Sequence, residues 1–179
     1  NARTAADLLL RSLSQANELV SSFKQVAVDQ ASSQRRRFDL KLVIEEVTAT
    51  LTPIIKKTPF RLHLELAGKV AMDSYPGPIG QVVTNLVMNS LTHAFEARET
   101  GNMTLAARKR GQRQVEIVYA DDGVGISGSD MQRIFDPFFT TKLGRGGSGL
   151  GLHIVYNLVT RVLGGRIKAS SEVGGGTRF

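Results

Sequence analysis

The sequence predicts an α+β fold, a mixed sheet with helices on one face, preceded by a long N-terminal helix. Three observations carry this reading. Residues Ala5 to Gln34 repeat apolar side chains at alternating four- and three-residue spacings, Arg61 to Leu66 alternates with period two, and the later strand-like and helix-like segments do not alternate singly as in a doubly wound sheet. The 179 residues suffice for about one domain with a sizeable core. With 41% hydrophobic and 22% charged residues, collagen-like, low-complexity and fully disordered readings are excluded. No run of ~18 apolar residues occurs, so nothing in the sequence reads as a membrane span. The absence of Cys removes disulfides, thiolate zinc sites and cysteine nucleophiles together, and fits a reducing compartment. The chain opens on Asn1 with no signal-peptide pattern, which reads as a fragment of a longer protein.

In the first element, Leu9, Leu13, Ala16, Val20, Phe23 and Ala27 form the seam. Leu8, Leu10, Leu19 and Val26 widen it beyond a two-stranded seam, toward a four-helix bundle. One helix cannot bury such a face alone; a second copy, an absent helix or the globular domain itself can cover it. After a basic joint at Arg35 to Arg37 the texture changes at Phe38. Asp39 can cap a helix running to about Lys57, whose apolar side carries Leu40, Val43, Ile44, Val47, Leu51, Ile54 and Ile55, with Pro53 bending its last part. Arg61 to Leu66 reads as a strand. Pro76, Gly77 and Pro78 precede a helix from about Ile79 to Ala97. Met103 to Arg108 and Gln114 to Tyr119 read as two strands joined by a basic turn. A glycine-rich stretch from Asp121 to Gly149 holds a short helix near Asp130 to Phe135, a further helix covers Leu150 to Leu163, and Ile167 to Ser171 and Thr177 to Phe179 supply the last strands. The chain thus divides into 1–34, 35–37 and 38–179.

The net charge of +7 gathers at Arg35–Arg37, Arg108–Arg110 with Arg113, and around Lys142 and Arg145. Aromatic residues make up only 6% and none interleaves with the first two clusters, so a stacking surface for single strands is not indicated and no nucleic-acid partner is expected. Solvated loops or a docking surface for an acidic partner remain open.

Four constellations bear on chemistry. Asn85, Asn89 and His93, four apart on one helix, form a polar stripe opposite Val83, Leu86, Val87, Leu91 and Ala94. The stripe is either a solvated face or a pocket wall, and an Asn carbonyl is a hard oxygen ligand suited to Mg²⁺. Asp121-Asp122-Gly123-Val124-Gly125-Ile126 follows a strand. It is either a structural turn or a carboxylate able to accept from an exocyclic amine beside backbone that can approach a flat ligand. Gly146-Gly147-Ser148-Gly149-Leu150-Gly151-Leu152 opens a helix, as a linker or as an anion-binding N-terminus. It lacks the closing Lys of a Walker A loop, and it does not follow a strand directly as a Rossmann fingerprint does. Phe135 to Lys142 holds three of the eight Phe and is either a hydrophobic turn or a pin for a mobile segment running on to Gly147, whose composition is that of a hinged lid.

In this order and at these separations, the elements resemble the ATP-binding domain of sensor histidine kinases, within the superfamily that includes gyrase B subunits, Bergerat-type chaperones and MutL. The resemblance covers roughly Phe38 to Phe179, and the stalk resembles the second helix of the dimerisation and phosphotransfer hairpin. The Asn box is Asn85 to Ser90, with Ser90 where the family usually has Ala, and Gly174-Gly175-Gly176-Thr177 is the third glycine box. The Phe-Phe-Thr-Thr-Lys wording is most similar to the nitrogen-regulation and dicarboxylate-sensing branch. The resemblance implies a Bergerat-type two-layer α/β sandwich with an ATP lid, binding ATP and Mg²⁺. It implies that Asn89 coordinates the metal and that Asn85 and His93 line the phosphate end. Asp121 then recognises the adenine amine, with Gly123, Gly125 and Ile126 shaping the base pocket and Thr177 closing it. Gly147, Ser148, Gly149, Leu150, Gly151 and Leu152 hold the phosphates, and Phe138, Thr140, Thr141 and Lys142 lead into the lid. It further implies a response regulator receiver domain as partner, a homodimer through the N-terminal helix, and a cytoplasmic location, with the parent protein open to anchoring in the inner membrane.

One position separates two reaction classes. The hydrolytic relatives place a Glu four residues before the metal Asn, where this chain has Asn85, and an amide cannot take a proton from water. Phosphoryl transfer to a protein nucleophile is therefore favoured over ATPase chemistry. The three His residues, His63, His93 and His153, have no acidic neighbour and none lies in the stalk, so the phosphoacceptor is expected outside this sequence. The alternative is a nucleotide-gated module that does not phosphorylate itself.

Overall fold

A computed structural model of the chain describes residues 34–96, 98–111, 114–142 and 147–179. The stalk expected over residues 5–34 lies, but for Gln34, outside the described residues. Strand β1 (Arg36–Asp39) leads into helix α1 (Leu40–Ile55), followed by β2 (Phe60–Leu66) and β3 (Ala71–Ser74). Helix α2 (Pro76–Asn89) runs on into a π-helical turn, Ser90–Ala94. Next come β4 (Gly101–Arg110), β5 (Gln114–Asp121), the single turn α3 (Gly128–Met131) and α4 (Gly151–Asn157), which continues as a π-helical turn, Leu158–Val162. Strands β6 (Ser170–Glu172) and β7 (Gly176–Arg178) close the chain.

The main sheet has the order β2-β4-β5-β7-β6, with β2 parallel to β4 and the other pairs antiparallel. This is the mixed sheet expected from the sequence. Met103, Leu105, Ala107 and Tyr119 point from β4 and β5 into a core completed by Leu40, Ile44, Val83, Leu86 and Val87 of α1 and α2 and by Val155 of α4. Each of these Leu, Ile, Val and Met side chains contributes roughly 1.5–3 kcal/mol by leaving water.

Asp39 caps α1 as expected: its Oδ1 accepts from Lys41 N at 3.1 Å. The same oxygen accepts from Val70 N at 3.0 Å, which fastens the start of α1 beside β3. Arg36 and Arg37, read from sequence as part of a joint, are the first residues of β1 and pair with Ser74 and Asp73. Helix α2 begins at Pro76 rather than Ile79, because proline at the first helical position loses no hydrogen bond that the helix would make. The short helix expected near Asp130 to Phe135 lies earlier, at Gly128–Met131, where Ser127 caps it by accepting from Asp130 N. The strand expected from Ile167 begins at Ser170.

Candidate functional site

Helix α2, its π-turn and the loop after β5 enclose a cavity of about 410 Å³, with the Phe135 to Lys142 segment and the start of α4 as its outer wall. At one end stands Asp121, the last residue of β5, aligned with Thr177 of β7. It is 9% exposed and no cation pairs with it among the described residues. Its Oδ2 accepts from Ser90 Oγ at 2.8 Å and its Oδ1 from Gly123 N at 3.1 Å. Burial pushes the carboxyl above the usual range, against the pull of these donors and of the Thr177 backbone. Behind it, the buried Tyr119 donates its phenol proton to Ser90 Oγ at 2.7 Å.

The loop after Asp121 is held on both sides. Val124 N donates to Ala94 O and Gly174 N to Val124 O, each at 2.8 Å. Gly125 has φ of +73°, and a side chain there would collide with the Glu172 carbonyl. The Arg98 guanidinium reaches the carbonyls of Asp122, Gly123 and Gly174 at 2.5, 3.0 and 3.4 Å. Ser171 Oγ accepts from Ile126 N at 2.8 Å and donates to Gly176 O at 2.6 Å. With that single proton used, the 2.9 Å contact to Thr177 has Thr177 Oγ1 as donor, leaving its lone pairs toward the cavity.

The other end is built on amides. Asn85 Nδ2 donates to Gln81 O at 3.0 Å, which turns its oxygen toward α4. Asn89 Nδ2 is buried without a hydrogen-bond partner among the described residues. A Cβ at Gly151 would stand 3.0 Å from Asn89 Oδ1 and 3.6 Å from Asn85 Oδ1. Glycine at the opening of α4 thus leaves a cradle beside the two carbonyl oxygens. Gly147 plays a similar part, since a Cβ there would meet Thr140 Oγ1 at 2.5 Å and His93 Cε1 at 3.1 Å. His93 is held below its ordinary value by burial and then by the Lys142 charge, with Glu96 opposing, so it is neutral at pH 7. The Lys142 ammonium donates to Thr92 O at 2.6 Å and pairs with Glu96 at 3.1 Å.

Most residues singled out in the sequence meet in this cavity: Asn85, Asn89, His93, Asp121, Gly125, Ile126, Thr140, Thr141, Lys142, Gly147, Ser148, Gly149, Gly151, Leu152 and Thr177. Three stand outside its lining. Gly123 is packed against Ala94 behind the wall and acts through its N–H on Asp121. Phe138 is 58% exposed at φ of +64°, its backbone covering Gly149 while its ring faces solvent. Leu150 caps α4, its carbonyl accepting from Ile154 N. Tyr119, Ser171 and Arg98 join the site without having been expected there. For Tyr119 a signal existed, an aromatic two positions before Asp121 and so on the same strand face; Ser171 and Arg98 carry none. The other histidines are engaged elsewhere: His153 bonds Phe135 O and Asn157, each at 2.9 Å, and His63 lies 3.3 Å from Asn102 on an exposed strand.

A family model described as histidine kinase-, DNA gyrase B-, and HSP90-like ATPase matches residues 75–179. The sensor histidine kinase RcsC of Escherichia coli K12 is 31% identical over 183 residues, covering 98% of this chain and 18% of that protein. The chain thus spans about a fifth of the length of the curated RcsC relatives it matches. The nucleotide-free catalytic domain of histidine kinase ThkA superposes with a TM-score of 0.69 at 26% identity, over 81% of this chain and 93% of that one. A structure of ThkA in complex with the response regulator protein TrrA superposes with a TM-score of 0.67 at 23% identity, over 92% of this chain and 47% of that one, and shares the fold.

Proposed function

Because the chain belongs to the family of histidine kinase-, DNA gyrase B- and HSP90-like ATPases, we propose that it is the Mg·ATP-binding catalytic domain of a two-component sensor histidine kinase. It donates the γ-phosphoryl group to a His outside this sequence, for relay to an Asp of a response regulator. The observation that carries this is the pairing of Asn85 and Asn89 against Gly151: two carbonyl oxygens at a glycine cradle, one amide otherwise orphaned, and no carboxylate between them. An unpartnered buried amide costs ~1–3 kcal/mol, which a bound polar ligand relieves. The hard oxygens fit a Mg²⁺ that keeps waters and phosphate oxygens in its shell. Asn89 would hold the ion, which when bound neutralises charge on the β- and γ-phosphate oxygens.

Asp121 accepts from the adenine amine, Gly125 and Ile126 let the backbone approach the base, and Thr177 offers a second acceptor. Gly147, Gly149 and Gly151 present backbone to the phosphates, with neutral His93 beside them. In the transfer, the bond from the γ-phosphorus to the bridging oxygen breaks, ADP leaves with its electron pair, and a phosphorus–nitrogen bond forms on the acceptor imidazole. Asn85 orients without taking a proton, so water is not activated. The reading places the domain in the cytoplasm, as half of a dimer joined through the stalk, in a parent protein that other segments can anchor to a membrane. Among the described residues no helix is long and apolar enough to cross one.

The test is titration calorimetry with ATP and Mg²⁺, followed by transfer from γ-labelled ATP to a hairpin carrying a His-Glu or His-Asp pair. Saturable Mg-dependent binding with label on the hairpin is expected. Binding without transfer would favour a nucleotide-gated module, and no binding would refute the reading. Asn85→Glu is expected not to lower slow ATP hydrolysis; a fall would count against the kinase assignment.

A further inference from the structure

Asp121 is a buried carboxylate held by neutral donors alone among the described residues. Ser90 is its single side-chain donor there, and Ser90 in turn receives Tyr119. Ser90 is 2% exposed and Tyr119 1%, so neither hydroxyl can turn to water. Each hydroxyl owns one proton, which gives the relay a direction. The phenol proton is spent on Ser90 Oγ, so the Ser90 proton must go to Asp121 Oδ2. Running it backwards would require a protonated Asp121 and leave the Tyr119 proton without an acceptor. With Oδ2 tied from behind and Oδ1 tied to Gly123 N, the carboxylate plane is fixed, and what it turns to the cavity is an acceptor only.

We infer that Ser90, backed by Tyr119, is a positioning residue that holds Asp121 as a fixed hydrogen-bond acceptor, and that this relay sets the preference of the pocket for a purine carrying an amine over one carrying an oxo group at the facing position. A purine with a 6-oxo group brings an acceptor against an acceptor, and the relay opposes both the rotation of Asp121 and its taking up a proton to accommodate it. The inference rests on the nucleotide-binding reading, and its test separates the two.

Mg·ATP and Mg·ITP, which differ at the base in a 6-amine beside an unprotonated N1 against a 6-oxo group beside N1–H, are titrated calorimetrically into the full chain. The wild-type chain is expected to prefer ATP. Ser90→Ala should weaken ATP about tenfold, as for loss of a hydrogen bond to a charged group, and ITP far less, so the preference falls by about the same factor. Tyr119→Phe should act in the same direction by about threefold. Ser90→Ala leaves the Tyr119 hydroxyl unpartnered and can lower the melting temperature. The double variant Ser90→Ala/Tyr119→Phe removes that orphan, and should recover the melting temperature without recovering the preference. A double variant that keeps the wild-type preference overturns the inference while leaving ATP binding intact, as does a wild-type chain that binds both nucleotides equally. A wild-type chain that binds neither refutes the nucleotide reading and the inference with it.

Discussion

At the base end of the cavity, Asp121, Ser90, Tyr119, Ser171 and Thr177 are bonded to one another and to backbone, whereas at the phosphate end Asn89 has a buried amide with no partner among the described residues, beside the space left by Gly151. Both ends draw on α2 and its π-turn, so the difference lies in what faces them. Strands β5 and β7 bring fixed acceptors to the base end, and the opening of α4 brings bare backbone to the other. A flat base of one shape can be met by a prebuilt site. A polyphosphate with its metal and waters needs unspent hydrogen-bonding capacity, and the cost of keeping it appears as the orphaned amide.

The contrast breaks most completely if the base end loses its backbone fit. A side chain at Gly176, where φ is +88°, would sit inside the Asp121 carbonyl. Gly176→Val should therefore cost about 3 kcal/mol of stability, combining positive-φ strain with overpacking, and abolish nucleotide binding; denaturant unfolding with calorimetry reads both. Asp121→Asn comes next. It places an amide beside the Ser90 and Gly123 donors and should weaken ATP roughly ten- to a hundredfold. At the phosphate end Asn89→Ala should do the reverse of a packing mutation, holding or raising stability by removing the orphan. ATP should weaken about tenfold with Mg²⁺ present and by clearly less without it. A base end that tolerates Asp121→Asn, or an Asn89→Ala variant with unchanged Mg²⁺ dependence, would erase the distinction.

The smallest effect is the pH dependence from His93. Its folded value lies below the ordinary 6.5, so the unfolded chain binds the proton more readily. Stability from this group is present above pH 6.5 and falls as the solution is acidified through that value. His93→Gln should flatten that part of a melting-temperature profile between pH 7 and pH 5, and an unchanged slope would remove His93 as its source.

The elements legible in the sequence were α1, β2, the body of α2, β4, β5 and the helix from α4 onward, the first three through repeated apolar spacing. Strands β1 and β3 were not legible. Four residues with charges on Arg36, Arg37 and Asp73 carry no alternation, and they exist because they pair with each other. Within the site, glycine clusters and the Asn stripe were legible because backbone exposure and helix spacing are local properties. The Ser90 to Tyr119 relay was not, since its partners come from different elements, and a serine inside a helical run or a tyrosine in a strand is ordinary by itself. Phe138 shows the opposite error. A phenylalanine in a motif invites burial, but its left-handed backbone serves to pass the chain over Gly149 and leaves the ring outside.

Arg98 joins two loops that the chain reaches at very different times. The carbonyls of Asp122 and Gly123 and that of Gly174 share one guanidinium. Neither loop can swing open without releasing the same cation, so their protected amides belong to one cooperative unit. In hydrogen exchange the amides of Val124 and Gly174 should therefore open together, and Arg98→Ala should speed the exchange of both.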